Sequence, residues 1–541
     1  MSAAAALITV AGCAGSTSGG AGRAIASDVE LQATYGQAAG PVDTLNWGLP
    51  YGEPPTLDPP NDAYFSATFT LSQMCDSLLR SGEDGIPKPA LAAVEQPDAT
   101  TIKVKLKKGV TFWDGSEVTA EDVKFSLDHT RDPATAIGVI FSSIKSVTAD
   151  DRHTVTIDLS RPDSLVAKEL QGLGGMVWQK RHAEKAGGKF GTSQGGIMCS
   201  GPYELKKWNS GTSIELTANP DYWDPEFKPN AKNVSLKFFS DSTTLASALQ
   251  AGEIDGAYEI PAQTIPSLSK SGAGKLLYGP SDIFVTMSVV NADGPLGDVK
   301  LRKAISKTLD RAAISRSVFH GAARPYYTQI NPGNWDPAAE KVYAAAYGPY
   351  RQEGETFGSQ KAVDEAKKLV ESSGADNRPL KLITQAGDVT MSRIAQLVQQ
   401  QARQIGLSVE IEPLQAIKYT EATYDAAARG DADLMLSTSY NGLREPAESI
   451  PFTFLPDEPY NYTGFDDPEV TKLLSQARAE ADATKRAELM IRVQSIVEEN
   501  PSFIPIVEVH EISFLNNRLS GMTTSFRYMR TPSLARIGAA S

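Results

Sequence analysis

The chain is poor in cysteine and histidine, and several motifs of catalytic chemistry are missing from it. Its 541 residues include 3 cysteines and 5 histidines. The phosphate-binding pattern GxxxxGK[ST] does not occur, and His510-Glu511 is not followed by the second histidine of a zinc-binding HExxH helix. No CxxC pair is present, so the usual zinc and redox spacings are also missing. These absences predict a protein that is not an enzyme and holds neither a metal nor a cofactor, although a catalytic triad is defined by geometry and escapes such a search.

The chain also lacks a basic surplus and a long apolar run. It carries 52 Lys and Arg against 65 Asp and Glu, which gives a formal net charge of −13 and a pI near 5.1. Phosphate binding draws on clustered Lys and Arg, so this balance argues against nucleic acid as a partner. The local lysine cluster at 103–108 lies mostly on the solvated face of a predicted strand. The length suits two or three cores, because a single core stops growing at roughly 250–300 residues.

The first thirteen residues, MSAAAALITVAGC, are small and apolar and end in a cysteine. They are too short for a membrane span, which needs about 20 apolar residues. The tetrapeptide at 10–13 (VAGC) resembles the lipobox of a bacterial lipoprotein, in which the cysteine is lipidated. No Lys or Arg precedes the apolar run, so either the true start lies upstream or the signal is atypical. We expect residues 1–22 to be a signal and a tether, with Cys13 lipidated and 15–22 flexible.

Cys75 and Cys199 are the two remaining cysteines. Outside the cytoplasm, a pair of this kind more often forms a disulfide than two free thiols. We therefore expect a disulfide between them, with two buried, unpaired thiols as the alternative.

Residues 101–133 (TIKVKLKKGVTFWDGSEVTAEDVKFSLDHTRDP) predict a strand, a turn and a helix in succession. Ile102, Val104 and Leu106 alternate with lysines, which is typical of a half-buried strand. After a turn, Thr119 and Asp122 have the spacing of a capping box ahead of a helix. The sequence of this segment resembles the signature of the large solute-binding proteins that serve peptide importers of the ATP-binding-cassette class.

Further segments resemble the same family, in the same order along the chain. Their glycines suit turns, Tyr222 and Trp223 suit the core, and Asp298 and Asp310 suit helix N-termini. Together they indicate the bacterial extracellular solute-binding proteins of family 5, the oligopeptide-, dipeptide- and nickel-binding type. The segments are GPYEL (201–205) with NPDYW (219–223), LQAGEID (249–255), PLGDVKLRKA (295–304) leading to LDR (309–311), and IGL (405–407) with VEI (409–411).

Helices and strands alternate in the second half of the chain, which is typical of an α/β lobe. In the first half we predict a strand at 44–49 and a helix at 67–81. The predicted helices of the second half are 299–309, 361–373, 393–405 and 484–499, and the predicted strands are 380–384, 409–411, 433–436 and 503–514.

The resemblance implies an α/β, periplasmic-binding-protein-like fold of type II, in its large class C form. Two lobes would close over a ligand, and an α+β domain would be inserted in the first. Lobe I would combine 42–75, 199–288 and 500–541. The inserted domain would cover 76–198, and lobe II would cover 289–499.

The resemblance also implies a role. The protein would be a monomer, lipid-anchored at the outer face of the bacterial cytoplasmic membrane, that captures a solute and delivers it to the permease subunits of an importer. Peptide is the commonest cargo of the family, and oligosaccharides, metal chelates, haem and opine-like compounds are others. Two readings from other classes are a hydrolase and a lipoprotein that binds a protein or lipid-linked partner without serving a transporter.

The ligand contacts implied by the resemblance lie in the loop after the first strand and in the segment after the strand at 433–436. Two residues after the strand near 255 are added as further candidates. The candidate set is Asn61, Asp62, Tyr64, Tyr258, Glu259, Tyr440, Asn441 and Gly442.

Gly442 departs from the pattern of the peptide-binding relatives, which have an aspartate there to hold the α-amino group of the peptide. Asp62, Glu259 and Glu445 are candidates to supply the carboxylate instead, although Glu445 is more simply interpreted as a helix N-terminal residue. Trp178 and Trp335 are either aromatic walls of the cleft or ordinary core residues.

Overall fold

The computed structural model describes residues 29–374 and 378–541. The predicted signal and tether at 1–22, with Cys13, lie outside the described residues. Below, lobe I, the insert and lobe II denote the ranges predicted from the sequence, and their boundaries remain predictions. None of the described helices has the length and apolar character needed to cross a membrane.

An eleven-stranded mixed sheet forms the frame of both lobes. Ala323–Pro325 pairs with Phe503–Asn516 at its side. The order of the other strands across the sheet is Val409–Leu414, Leu380–Gln385, Leu434–Tyr440, Gly274–Val289, Phe503–Asn516, Gly256–Ala257, Val42–Leu49, Ala231–Phe238, Ser213–Ala218 and Tyr203–Asn209.

Two long antiparallel strands, Gly274–Val289 and Phe503–Asn516, connect the two halves of this sheet. Residues 274–279 pair with 511–516, next to the short strand Gly256–Ala257 of lobe I. Residues 283–288 pair with 503–509, and residues 283–289 pair on their other side with Leu434–Tyr440 of lobe II. The register shifts between Gly279 and Ile283, so the ladder is interrupted where the strands pass from one half to the other.

Helices surround the lobe II part of the sheet, and two of them are capped as the sequence predicts. Asp298 accepts a hydrogen bond from Lys300 N and Asp310 one from Ala313 N, each at 2.8 Å. The helices are Val299–Thr308, Arg311–Phe319, Glu340–Gly354, Gln360–Glu371, Val389–Arg403, Ala416–Tyr424, Ala426–Arg429, Pro446–Ser449, Pro451–Phe454, Pro468–Ala479 and Ala483–Val497.

The insert has a sheet and a core of its own. Its antiparallel sheet runs in the order Ala92–Asp98, Thr101–Leu106, Thr154–Leu159, Ile144–Ala149. Ile102, Val104 and Leu106 are buried in its core, and the predicted capping box between Thr119 and Asp122 is present. The helices of the insert are Ala120–Thr130, Val166–Glu169 and Lys180–Ala186.

The predicted helix at 67–81 is wrong, because the helix of lobe I spans Phe65–Met74. Cys75 follows in an extended conformation (φ −118°, ψ 133°), and Leu79–Ser81 is a strand paired with Pro87–Pro89. Cys75 is bonded to Cys199, with their Cα atoms 4.9 Å apart, so the chain turns away at the cysteine. The remaining helices of lobe I are Ser242–Ala251 and Ile265–Leu268.

Short strands attach both ends of the described chain to lobe I. Thr34–Tyr35 pairs with Met522–Thr523, and Leu519–Ser520 pairs with Gly538–Ala539. The C-terminal segment packs its apolar side chains into the lobe I core, where Phe526, Tyr528 and Leu534 are buried. This packing explains why the last part of the sequence returns to the first lobe.

Candidate functional site

The candidate site is formed by residues that follow the carboxyl ends of parallel strands in both lobes. Val42–Leu49 is parallel to Gly256–Ala257, and the residues just beyond these strands include Tyr51 and Glu259. In lobe II, Leu380–Gln385 is parallel to Leu434–Tyr440, and Asp388 and residues 440–442 lie at their ends. Open α/β sheets bind ligands outside the carboxyl ends of their strands, so this is where a ligand is expected.

The two predicted ligand-contact segments meet across the lobes. The hydroxyl of Tyr440 donates a hydrogen bond to the carbonyl oxygen of Ala63 at 2.7 Å, although 377 residues separate them in the chain. The ring of Tyr440 also lies 5.5 Å from that of Phe526, centroid to centroid. A second hydrogen bond between the lobes joins Thr390 Oγ1 to Gln263 Oε1 at 3.3 Å.

Partly exposed tyrosines from both lobes line this region. Tyr440 is 43% exposed, yet desolvation by the surrounding protein raises its pKa to about 12. The same cause, followed by the nearby Glu259, raises the pKa of Tyr51, which is 63% exposed. A phenol that touches water while protein surrounds it is typical of a cleft wall. The others are Tyr64, Tyr424 and Tyr460, and Tyr424 contributes to the raised pKa values of both Tyr64 and Tyr460.

Glu259 is held at the lobe I wall by aromatic hydroxyls. Tyr528 donates a hydrogen bond to Glu259 Oε1 at 3.0 Å, and the Tyr51 hydroxyl also hydrogen-bonds to this carboxylate. The backbone N–H of Glu259 donates to Glu511 Oε1 at 2.9 Å. Burial raises the pKa of Glu259, and its two tyrosine hydrogen bonds oppose that rise. Glu259 adopts a left-handed backbone conformation (φ 49°), which turns the chain sharply after the strand.

Tyr258, another predicted contact, supports this wall from within the core. Its side chain is fully buried and stacks on the ring of Tyr528 at 3.8 Å between centroids. Trp47 and Phe69 also pack against the ring of Tyr258. In this arrangement Tyr258 positions Tyr528, and its predicted contact with the ligand remains a prediction.

The space beside Gly442 is filled by another acidic residue. A Cβ atom at position 442 would lie 2.5 Å from Glu448 Oε1, so a larger side chain does not fit unless Glu448 moves. Glu448 is buried, and burial raises its pKa to about 7 in spite of Arg478 and Arg530 nearby. The space into which a side chain at position 442 would extend is therefore occupied by the carboxyl group of Glu448.

Asn441 is buried beside Gly442 and is held by several partners. Arg530 donates to its carbonyl oxygen at 2.8 Å, its own N–H donates to Asp282 O at 3.2 Å, and its side chain donates to Asn331 Oδ1 at 3.4 Å. These contacts fix the backbone that follows the strand end. The prediction that Asn441 binds the ligand remains untested.

Asn61 and Asp62 shape the loop that presents Ala63 and Tyr64. Asn61 Nδ2 donates to Asp58 Oδ2 at 2.7 Å, and Asp62 Oδ1 accepts from Tyr64 N at 2.8 Å. Asp62 is 3% exposed, and desolvation raises its pKa. Within the part of the chain that the structure describes, its second carboxylate oxygen has no hydrogen-bond partner. Tyr64 projects outward from the turn that Asp62 stabilises.

Three other residues named from the sequence have structural roles. Glu445 is 1% exposed, caps the helix Pro446–Ser449 and pairs with Arg486 at 2.5 Å, which is the interpretation favoured from the sequence. Trp178 is fully buried in the lobe I core, and Trp335 stacks on Tyr343 in a lobe II core. Both tryptophans are core residues.

Sequence reasoning missed Tyr51, Asp388, Glu448 and Glu511. A signal existed for Glu511, because it interrupts a strand that is otherwise largely apolar, FIPIVEVHEISFLN. Tyr51 lies two residues after the predicted strand 44–49 and Asp388 four residues after the predicted strand 380–384, so the rule about carboxyl strand ends points to them. Nothing in the sequence indicates that Glu448 folds back against Gly442.

The structure contains little that resembles a catalytic or metal centre. The pentapeptide 191–195 (GTSQG) has the GxSxG spacing of a nucleophile elbow, but no strand leads into it, and Ser193 is exposed in a turn. An elbow needs a strand-to-helix turn that presents the serine above a sheet. Within 29–374 and 378–541, no group of three or more His, Cys, Asp or Glu residues is arranged to hold a metal ion.

Several known proteins are similar to this chain. The model of the bacterial extracellular solute-binding proteins, family 5 Middle, matches residues 86–461. The glutathione-binding protein GsiB of Shigella flexneri serotype 5b is 26% identical over 493 residues, which are 86% of this chain and 89% of that protein.

Two solved structures superpose on almost the whole chain. The substrate-binding protein CtaP of Listeria monocytogenes has a TM-score of 0.78 at 22% identity and covers 93% of this chain and 100% of its own. The binding protein AgaA of A. tumefacien R10, solved with agropinic acid, has a TM-score of 0.77 at 23% identity. It covers 92% of this chain and 99% of its own.

Proposed function

Because the chain belongs to family 5 of the bacterial extracellular solute-binding proteins, we propose that it captures a peptide or peptide-like solute between its lobes and delivers it to an importer of the ATP-binding-cassette class. The observation that carries the proposal is the hydrogen bond from Tyr440 to Ala63, which joins the two predicted contact segments across the lobes. The capture is reversible binding, and no covalent bond of the solute is broken.

The two long strands Gly274–Val289 and Phe503–Asn516 are the hinge in this proposal. They join the lobes, and their ladder is interrupted at 279–283, where bending costs few hydrogen bonds. A solute that touches both lobes stabilises the closed arrangement in proportion to its additional contacts there. The permease subunits would then recognise the closed form.

The chemistry of the wall suits a peptide-like solute. Tyrosine rings offer apolar faces with polar edges, and backbone groups at the strand ends offer hydrogen bonds. The named ligands of relatives point the same way, since GsiB is a glutathione-binding protein and AgaA was solved with agropinic acid. These names support the choice of peptides and amino-acid conjugates as the first solutes to test.

We place the protein outside the cytoplasm, held to the outer face of the membrane by a lipid on Cys13. The bond between Cys75 and Cys199 suits an oxidising compartment. Cys13→Ala is expected to move the protein from the membrane to the soluble fraction, as measured by fractionation of cells. A variant that stays with the membrane would argue against the anchor.

The test of capture is to identify what the purified protein carries. Protein without residues 1–22 is purified with no added solute and denatured, and the released small molecules are identified by mass spectrometry. Short peptides or amino-acid conjugates are the expected result, and the same compounds should raise the melting temperature of the emptied protein. A sugar, a metal chelate or haem would contradict the peptide-like cargo and retain the capture role. A protein that carries nothing, and that none of these compounds stabilises, would contradict capture itself.

A further inference from the structure

Two acidic side chains, Glu259 and Glu511, lie together at the lobe I wall. Glu511 is 1% exposed, and its Oε1 accepts hydrogen bonds from Glu259 N and Ser513 Oγ. Its other oxygen, Oε2, is buried and has no hydrogen-bond partner among the described residues. Among the residues the structure describes, neither carboxyl group has a lysine or arginine within ion-pair distance, and the groups that shift their pKa values are uncharged or acidic.

The contrast with other buried acids of this chain is clear. Ion pairing offsets much of the cost of burying a carboxylate, and several buried acids here follow that rule. They are Asp76, Asp163, Asp255, Asp336, Asp433, Glu445 and Glu508. Glu259 and Glu511 instead lie next to each other and raise the local negative potential.

A third acid, Asp388, faces the same place from lobe II. Tyr51 is the common neighbour, since Glu259, Asp388 and Glu511 all raise its pKa. Tyr51 is also the exposed member of the group, with 63% of its surface open to solvent. An aromatic ring bordered by carboxylates and open to water is the arrangement that attracts an organic cation.

We propose that Tyr51, Glu259 and Glu511 form a subsite for a positively charged group of the solute, a primary ammonium or a guanidinium. This inference rests on the proposed function and names the charge of the solute that the same cleft takes. Glu259 receives the cation at the wall, the ring of Tyr51 lies beside it, and Glu511 supplies negative charge from behind. The subsite is at the ends of the lobe I strands and is separate from residues 440–442.

The subsite predicts a pH dependence of binding with a definite sign. Burial raises the pKa values of both Glu259 and Glu511, so their protonation competes with a cationic ligand at higher pH than for an ordinary glutamate. The titratable groups facing the pair are Tyr51, Tyr528, Tyr258 and Asp388, and none of them is cationic. Affinity for a cationic solute should therefore fall as the pH is lowered from 8 to 5.

The test separates charge from shape with matched peptides. Isothermal titration of the purified, emptied protein compares Ala-Lys-Ala with Ala-norleucine-Ala, and tri-alanine with its N-acetylated form. At least one cationic member should bind 10-fold or more tightly than its uncharged counterpart. Glu259→Gln should reduce that ratio to about 1, and Glu511→Gln should lower it as well.

The control is Glu253→Gln, which removes an equal charge from an exposed position of the same lobe and should leave the ratio unchanged. Melting curves confirm that each variant is folded. Tyr51→Phe is a second variant, which removes the hydroxyl of Tyr51 and keeps its ring. Equal binding of charged and uncharged peptides, or a ratio that survives Glu259→Gln, would overturn the subsite and leave the proposed function standing. Failure of every one of these peptides to bind would overturn both if the purified protein also carries no peptide-like compound and none stabilises it.

Discussion

Arg478 of lobe II donates a hydrogen bond from its Nε to Oδ2 of Asp163 in the insert, at 2.7 Å. The side chain of Asp163 is completely buried in this pair. The same arginine donates to the carbonyl oxygen of Ile140 at 3.1 Å, so one side chain of lobe II holds two segments of the insert. A buried ion pair of this kind specifies how two surfaces align more than it adds stability.

The contact continues through residues 163–168, which we call the plug. Ser164 donates from its backbone N and its Oγ to Arg478 O at 2.9 and 3.0 Å. Leu165 is fully buried in a lobe II core that includes Trp335 and Phe454. Lys168 pairs with Asp336 at 2.9 Å. The plug therefore fastens the insert, which the disulfide ties to lobe I, onto lobe II.

Leu165→Ala is expected to weaken solute binding although Leu165 lies outside the candidate ligand contacts. Truncating a buried leucine costs about 2–5 kcal/mol, and this cost falls on the closed arrangement that buries it. Affinity should drop by about 10-fold or more, with little change in the melting temperature of the empty protein. Calorimetry measures the affinity for the solute, and small-angle scattering measures the opening of the lobes. Val139→Ala, at an exposed position of the insert, is the control. A lower melting temperature at unchanged affinity would show that the plug stays docked when the lobes open.

Tyr440→Phe removes only the hydroxyl that reaches Ala63. A net hydrogen bond is worth about 1 kcal/mol, so solute affinity should fall by about 5-fold. Tyr440→Ala also removes the ring and should have a larger effect, while the melting temperature of the empty protein stays nearly the same. Tyr35→Phe, which alters a hydroxyl at the far strand Thr34–Tyr35, should leave binding unchanged. Wild-type affinity in Tyr440→Phe would exclude this contact from closure.

Gly442→Asp is expected to destabilise the protein, because the new Cβ would lie 2.5 Å from Glu448 Oε1. Overpacking of this kind costs about 1–3 kcal/mol, and the second carboxylate adds repulsion. Combining it with Glu448→Ala should recover most of the loss, since that change opens the space. Gly40→Asp is the control, because nothing lies within 4 Å of a Cβ there. Thermal melting that shows no recovery in the double variant would refute the steric explanation.

Glu448 should make stability depend on pH. Burial raises its pKa to about 7 in the folded protein, whereas an unfolded glutamate titrates near ~4.3. Between these values the folded state binds more protons, so this group lowers stability as the pH rises from about 4.5 to 7, by up to ~3 kcal/mol. Glu448→Gln should therefore raise the melting temperature more at pH 8 than at pH 5. An equal change at both pH values would contradict the shift, and Glu253→Gln is the control for the lost charge.

The bond between Cys75 and Cys199 should be measurable as stability. A cross-link over 124 residues is worth about 4–5 kcal/mol in the chain-entropy model. The double variant Cys75→Ser, Cys199→Ser should unfold at a distinctly lower denaturant concentration. The unfolded, unreduced protein should show no reactive thiol at either position. Two thiols that react without reductant would rule out the bond.

The family and the α/β fold class were predictable because five segments of local sequence carry them, and both predictions are confirmed. Helix caps such as Asp298 and Asp310 were predictable for the same reason, since a cap depends on neighbours two or three residues away. The end of the first helix was predicted wrongly, because a partner 124 residues distant fixes Cys75.

The site itself depends on strand register, which a single sequence does not reveal. Glu511 faces Glu259 only because Gly256–Ala257 pairs with residues 514–515. Tyr440 reaches Ala63 only once both lobes are in place. The predicted ligand contacts and lobe boundaries therefore remain predictions, and the experiments above test the contacts.

The disulfide lies where the inserted domain could be exchanged for a domain of another protein. The chain leaves lobe I at Cys75 and returns at Cys199, and the Cα atoms of these residues are 4.9 Å apart. That spacing is close to the distance between neighbouring residues in a chain, so the backbone leaves and re-enters lobe I at almost the same place. A different module with adjacent termini could be grafted there if it also filled the part of the lobe I core that Met176, Trp178 and Ile197 of the insert now occupy. Because the plug also docks on lobe II, each graft would set a new balance between the open and closed forms, which makes this position a natural place to build a solute sensor.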